Sequence, residues 1–239
     1  MNLAADIGNT RAKLAVFDGD AIVAEVNTDH ELTDLPALAR EHPCRRGIVS
    51  TTAGLTGTAR KRLQALGIPL LCMTGETAVP IQVHYRTRRT LGTDRLAAVV
   101  GVHHLHPESD ILVIDAGTCV TYDLIDHDGN YRGGNISPGM EMRLRALHQL
   151  TARLPLVGSE GDTPEVGYDT ETAIRSGVVR GMKMEIEGYI RHFQKEYPSL
   201  SVFLTGGDAQ KFDMSAESCI FAPDSIVLRG LNQILAFNE

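Results

Sequence analysis

No apolar stretch in the sequence approaches the ~20 residues that a bilayer-spanning helix needs, so no membrane span is expected. Residues 1–6 read directly as a strand, without a basic segment ahead of an apolar one, and a cytoplasmic location is the expectation. Cysteine is sparse: Cys44, Cys72, Cys119 and Cys219 stand far apart with no CxxC pair, which suggests neither a zinc knuckle nor a disulfide framework, but free thiols. Positive charge is in deficit, 23 Lys and Arg against 30 Asp and Glu, for a net charge of −7. The broad positive field that phosphate-backbone binding requires is therefore missing, and nucleic acid is disfavoured as a partner. Neither GxxxxGK[ST] nor GxGxxG occurs, which removes the main support for a P-loop or a dinucleotide-binding fold. What remains is a chain of 239 residues, 43% hydrophobic and with 23 glycines, long enough for one large domain or two modest ones.

The sequence contains a weak internal repeat. Residues 2–26 read as a strand running into Asp6-Ile7-Gly8-Asn9-Thr10, a second strand over 12–17, a turn at Asp18-Gly19-Asp20 and a third strand over 21–26. Residues 111–136 repeat that plan, with Asp115-Ala116-Gly117-Thr118 after the first strand and a turn at Asp128-Gly129-Asn130. Helices follow each meander. Leu32, Leu35 and Leu38 mark a short one, and Leu55, Ala59, Leu63 and Leu66 another, with strands over 47–51 and 68–73 that imply parallel crossovers. In the second half, Ser137 and Pro138 offer an N-cap and first-turn proline for a helix carrying Met140, Leu144, Leu147 and Leu154. Thr170 opens a long helix with Ile174, Val178, Met182, Ile186 and Ile190 on one stripe and Gly177, Gly181 and Gly188 beside it, suited to close packing against a neighbour. A strand over 201–205 and a helix with Leu228, Leu231 and Leu235 complete the chain. The polar stretch 106–110 is the expected boundary, giving domains 1–108 and 109–239.

Asp-x-Gly-x-Thr between two strands suits phosphate chemistry. The glycine amide is uncovered, the threonine hydroxyl and adjacent N–H groups can donate to phosphate oxygens, and the aspartate can hold a hydrated Mg²⁺. One copy is also what a plain hairpin turn looks like. Two copies, at Asp6 and Asp115, suggest loops that grip a triphosphate from both sides of a cleft, with Lys13 supplying positive charge. The strand over 202–205 breaks into Gly206-Gly207, where a purine could lie against bare backbone. An aspartate within reach of an acceptor hydroxyl, as Asp94 could be, would suffice as a base for phosphoryl transfer, although the local sequence reads more readily as a cap of the helix that follows Gly92. Arg86, Arg88 and Arg89 read as an anion-attracting cluster or a solvated loop face. The His103-His104-x-His106 run lacks a carboxylate or cysteine at ligand spacing and is not read as a metal site.

The order of these motifs resembles the actin, Hsp70 and sugar-kinase superfamily, and within it the type III pantothenate kinases. The likeness runs through Asp6 to Thr10 with Lys13, Tyr85, Gly92-Thr93-Asp94-Arg95, Asp115 to Thr118, Gly133-Gly134-Asn135-Ile136-Ser137-Pro138-Gly139, Thr170 and Thr205-Gly206-Gly207. The resemblance implies an α/β fold of two tandem actin-like (ribonuclease H-like) domains, each a mixed five-stranded sheet with flanking helices. It implies ATP-dependent phosphorylation of pantothenate to 4′-phosphopantothenate. ATP would be bound by Asp6, Ile7, Gly8, Asn9, Thr10, Arg11, Ala12, Lys13, Gly117, Thr118, Gly206 and Gly207. Asp6 would hold Mg²⁺ and Asp115 a monovalent cation, K⁺ or NH₄⁺. Tyr85, Gly92, Thr93, Asp94, Arg95 and Thr170 would contact pantothenate, with Asp94 as base and Thr170 near the boundary of a homodimer. Thr93 stands where family members often have alanine, and Thr172 lies one helical step from Thr170. Another small-molecule kinase of the superfamily, or a non-catalytic nucleotide-binding accessory protein, would be the alternatives.

Overall fold

The computed structural model describes residues 1–52, 54–212, 214, 219–223 and 225–239. By internal contacts these fall into two compact units: Met1–Glu108 with Ile125–Gly133 and Pro223–Glu239, and Ser109–Leu124 with Gly134–Ala222. Two segments from the second half of the sequence, 125–133 and 223–239, thus pack with the first unit.

The first unit opens with the expected meander, β1 (Asn2–Ile7), β2 (Ala12–Asp18) and β3 (Ala21–Thr28), followed by α1 (Leu35–Glu41), β4 (Arg46–Thr51), α2 (Gly57–Gln64) and β5 (Leu70–Cys72). Its sheet runs β3-β2-β1-β4-β5, antiparallel through β1 and parallel beyond it, because the helical crossovers α1 and α2 return the chain in the same direction. Gly19, at φ 58°, takes the left-handed conformation that the β2–β3 turn requires. Leu3, Ile7, Leu14, Val16 and Val49 of the sheet bury against Leu35, Leu38, Ala59 and Leu63 of the two helices. Leu32 adopts φ 57° ahead of α1, so the first leucine of the expected helix lies outside it.

The two-residue β6 (Gln82–Val83) leads to α3 (Thr93–Leu105). The remaining elements are β7 (Ile111–Ala116), β8 (Cys119–Ile125), β9 (Asn130–Pro138), α4 (Met140–Gln149), α5 (Thr170–Glu196), β10 (Ser201–Thr205), β11 (Cys219–Phe221) and α6 (Ile226–Phe237). Within the first unit α6 packs on α3 and on β1. The two helices meet at glycines: a Cβ on Gly230 would fall 1.8 Å from the Ala97 carbonyl oxygen, and one on Gly101 2.3 Å from that of Ile226.

The second sheet has the order β11-β10-β7-β8-β9-β6, six strands rather than the expected five because β6 pairs with residues 130–131 at the start of β9. In the second unit α5 buries the predicted stripe Ile174, Val178, Met182, Ile186 and Ile190 with Leu112, Ile114 and Tyr122 of β7 and β8. Ser137 and Pro138 end β9 instead of starting a helix; Gly139 is the N-cap of α4, which stops at Gln149, short of Leu154. The sheet ladder there outcompetes the local capping signal. Among the described residues no helix is long and apolar enough to cross a membrane.

Candidate functional site

Asp6 is the next-to-last residue of β1. Strand register places it opposite Lys13 on β2 and Ser50 on β4, so three polar side chains form a row across the sheet. The loop that follows is closed by the Gly8 N–H donating to the Arg11 carbonyl at 3.1 Å, and the His30 ring donates to the Gly8 carbonyl at 2.9 Å. Asn9, Thr10 and Arg11 are exposed at its tip, whereas Ile7 and Ala12 are buried and offer the loop only their backbone. Burial, and next the charge of Asp94, push the Asp6 carboxyl up to about 6, against a hydrogen bond from Ser50 and the charge of Lys13. One of its oxygens, Oδ1, is buried without a protein partner.

The acceptor-side residues are assembled in the same unit by the start of α3. Gly92 is the N-cap, so Asp94 is in the first turn rather than at the cap. Its Oδ1 accepts the Arg95 N–H at 2.8 Å, and a Cβ on Gly92 would lie 2.5 Å from that oxygen, so the glycine leaves room for the carboxylate. Arg95 is buried, with its guanidinium 5.8 Å from the centre of the Tyr85 ring. Tyr85 stacks on Tyr131 at 6.4 Å and lies over Gly133, whose φ of 101° would strain any other residue and where a Cβ would crowd the ring at 3.3 Å. Thr93 is buried with its hydroxyl 2.9 Å from that of Ser50. Asp6, Lys13, Thr93, Asp94, Arg95 and Tyr85 thus belong to one unit.

The second loop, at the end of β7, is built in the other unit. The Gly117 N–H donates to the Cys119 carbonyl at 2.9 Å, and Thr118 is exposed at the tip. Two glycines from elsewhere in that unit press on the loop. Gly139 donates its N–H to the Thr118 carbonyl at 3.1 Å, and a Cβ there would sit 2.1 Å from the Gly117 oxygen. Gly206, at φ 99°, would place a Cβ 2.4 Å from both Asp115 Oδ1 and the Ala116 oxygen. Asp115, Gly117, Thr118, Gly206 and Gly207 are therefore neighbours, although the glycines stand some 90 residues apart from the loop in sequence.

Thr170 is the first residue of α5 and is exposed. It lines a groove of about 820 Å³ between α4 and α5, with Arg143, Leu147, Leu150, Leu154 and Gly177. Thr172 is occupied elsewhere: its N–H reaches Asp169 Oδ1 at 2.8 Å and its hydroxyl accepts the Asp169 N–H at 3.1 Å, a capping box. Of the basic loop, Arg88 donates to the carbonyls of Gly75 and Thr77 at 3.1 and 3.3 Å, and Arg89 lies exposed 4.0 Å from Glu76. Arg88 is thus tied into the fold, while Arg89 faces solvent. Ser50, His30 and Tyr131 were not singled out from the sequence. Strand pairing alone brings Ser50 beside Asp6, and no local pattern announces it.

Among the described residues no three His, Cys, Asp or Glu side chains cluster as a metal cage. A site for Mg²⁺ does not need one, since that ion keeps waters and takes one or two carboxylates plus substrate phosphates. Asp6, with an unpartnered buried oxygen and a second carboxylate near by, fits that donor set.

An ATP- or polyphosphate-dependent glucomannokinase from an Arthrobacter strain superposes on the chain with a TM-score of 0.53 at 14% identity, covering 99% of this chain and 98% of its own. The fold is that of the actin, Hsp70 and sugar-kinase class. Within that class the chain belongs to the type III pantothenate kinase family, whose model matches residues 2–192. It is 52% identical over 240 residues to the type III pantothenate kinase of Phocaeicola vulgatus and 50% to that of Bacteroides fragilis strain YCH46, covering 100% of this chain and 99% of each relative.

Proposed function

We propose that the protein transfers the γ-phosphoryl group of ATP to the terminal hydroxyl of pantothenate, yielding 4′-phosphopantothenate and ADP, the first step of coenzyme A synthesis. The observation that carries this reading is the pairing of Asp6 with Asp94 in one unit, one carboxylate beside Lys13 and an open loop, the other at the start of α3. Phosphoryl transfer asks little covalent chemistry of the protein. Positioning, charge neutralisation and a base for the acceptor proton suffice.

Asp94 takes the proton from the pantothenate hydroxyl. Tyr85, Gly92, Thr93 and Arg95 orient that substrate, Arg95 by its positive charge toward the carboxylate. The amides of residues 8–11, Thr10 and Lys13 are assigned to the phosphates, as are Gly117 and Thr118. Gly206 and Gly207 offer bare backbone to the adenosine. Bound Mg²⁺ would neutralise charge on the transferring phosphates, with Asp6 as its protein ligand. Asp115 is assigned the monovalent cation.

The assembly is proposed to be a homodimer formed through the α4–α5 face. In support, Leu150, Leu156, Val166 and Tyr168 are exposed there, and an added Cβ on Gly177, Gly181 or Gly188 would meet nothing within 4 Å. Coupled ADP release with pantothenate, ATP and Mg²⁺, in K⁺ and then in Na⁺, tests the activity. Pantothenate-dependent turnover favoured by K⁺ is expected, and none in K⁺ would refute it.

A further inference from the structure

The end of β9 is tied down by side chains from two helices. Arg143 of α4 donates from Nε to the Pro138 carbonyl at 2.7 Å and from Nη2 to the Ser137 hydroxyl at 2.8 Å. The second proton on Nη2 goes to Glu185 Oε2 of α5, also at 2.7 Å. The two charged side chains are 22% and 27% exposed, so solvent screens this pair less than it would an open surface pair. The other Glu185 oxygen, Oε1, accepts the Tyr122 hydroxyl of β8 at 3.0 Å, and the Tyr122 ring stacks on Tyr189 of α5 at 3.9 Å. One carboxylate therefore holds two elements of the second unit, each through its own oxygen. The first is β8, which leads out of the Gly117–Thr118 loop. The second is the 137–139 segment, which presses on that loop through Gly139.

We propose that Glu185 and Arg143 are positioning residues, a clamp that fixes the Gly117–Thr118 loop and with it the grip of that loop on nucleotide phosphate. The inference rests on the assignment of Gly117 and Thr118 to the phosphates given above. Gly139 already lies so close that a Cβ on it would fall 2.1 Å from the Gly117 oxygen, and its N–H holds the Thr118 carbonyl at 3.1 Å. A shift of residues 137–139 is therefore passed to the loop. The planar fork of Arg143 opposes that shift by holding Pro138, Ser137 and Glu185 together, which a single ammonium cannot do.

The test uses full-length Arg143→Ala, Glu185→Ala, the double alanine variant, Arg143→Lys and Glu185→Gln, with wild type and Thr118→Asp as references. In calorimetric titrations with ATP and Mg²⁺, without pantothenate, each single alanine variant should bind about 10-fold more weakly than wild type. KM for ATP should rise by a like factor while KM for pantothenate stays within about twofold. The double variant should bind within about twofold of the worse single one, because both changes open one clamp. Arg143→Lys should remain weakened, since it keeps the charge and loses the fork. Glu185→Gln, which keeps an oxygen for Arg143, should fall between Glu185→Ala and wild type. A purely structural pair would lower the melting temperature and leave ATP affinity intact.

Unchanged ATP affinity in both alanine variants would overturn the clamp, as would two single losses that multiply in the double variant. Arg143 also lines the groove beside Thr170, so a rise in KM for pantothenate instead of ATP in Arg143→Ala would assign it to that groove and overturn the clamp too. If circular dichroism shows an alanine variant unfolded, Arg143→Lys and Glu185→Gln replace it, and wild-type ATP affinity in both would be the refuting result. Thr118→Asp, which puts a negative charge at the loop tip, should abolish ATP binding. If it binds ATP like wild type, the phosphate assignment falls and the clamp with it. A defective Thr118→Asp beside unaffected Arg143 and Glu185 variants would remove the clamp alone.

Discussion

Asp94 and Asp6 are both carboxylates, yet their surroundings differ and the tasks proposed for them are separate. Asp94 lies in the first turn of α3, and Asp94→Asn should leave ATP binding intact, read by calorimetry, while lowering kcat by about 10²-fold or more, the scale of a general base. Asp6 is held in an unfavourable state while the chain is without ligands: burial and Asp94 raise its carboxyl from 3.8 to about 6. The folded chain therefore binds the Asp6 proton more tightly than the unfolded chain. The associated stability is fully present below the unfolded value and is lost as pH rises through about 6. In urea titrations without nucleotide, wild type should lose stability relative to Asp6→Asn between pH 4 and pH 7. A flat difference across that range would show that Asp6 is not so perturbed. Asp6 drew attention in the sequence through its repeated motif, and Asp94 through the family resemblance. Their supports did not: Ser50 stands 44 residues from Asp6 and Tyr131 46 from Tyr85, and only sheet pairing and ring stacking bring them together.

Among the elements, helices with clear periodicity were readable and their ends were less so. The α5 stripe lies fully in the core, and Ile186→Ala should cost about 2–5 kcal/mol in the urea midpoint analysis, as expected for a buried isoleucine. The start of α4 misled because Ser137-Pro138 is a good helix opening only when the preceding strand does not claim those residues, and β9 does. The α3–α6 contact was invisible beforehand, since a glycine inside a helix looks merely like a weakness. Replacing Gly230 by alanine would gain up to ~1 kcal/mol of helix propensity, yet the new methyl would meet a backbone oxygen at 1.8 Å, and backbone cannot step aside cheaply. Gly230→Ala should therefore destabilise the protein by about 1–3 kcal/mol, measured by the same unfolding assay. A stabilised variant would mean that the helices do not approach so closely.

For the molecule as a whole, the repeat of two meanders announced two related sheets, while the bookkeeping of which segment belongs to which unit required tertiary contacts. At this scale the dimer is testable. Sedimentation should find a two-chain species, and Gly181→Leu, which fills open space within a single protomer, should shift it toward single chains without unfolding them. A species indifferent to that change would place the interface elsewhere. The return of 223–239 to the first unit sets an order for biosynthesis. A ribosome releases the opening hundred residues long before α6, whose apolar face covers α3 and β1. Until α6 is synthesised, that unit carries an uncovered greasy flank, and a truncation that removes α6 would harm the earlier-made part of the protein as much as the later.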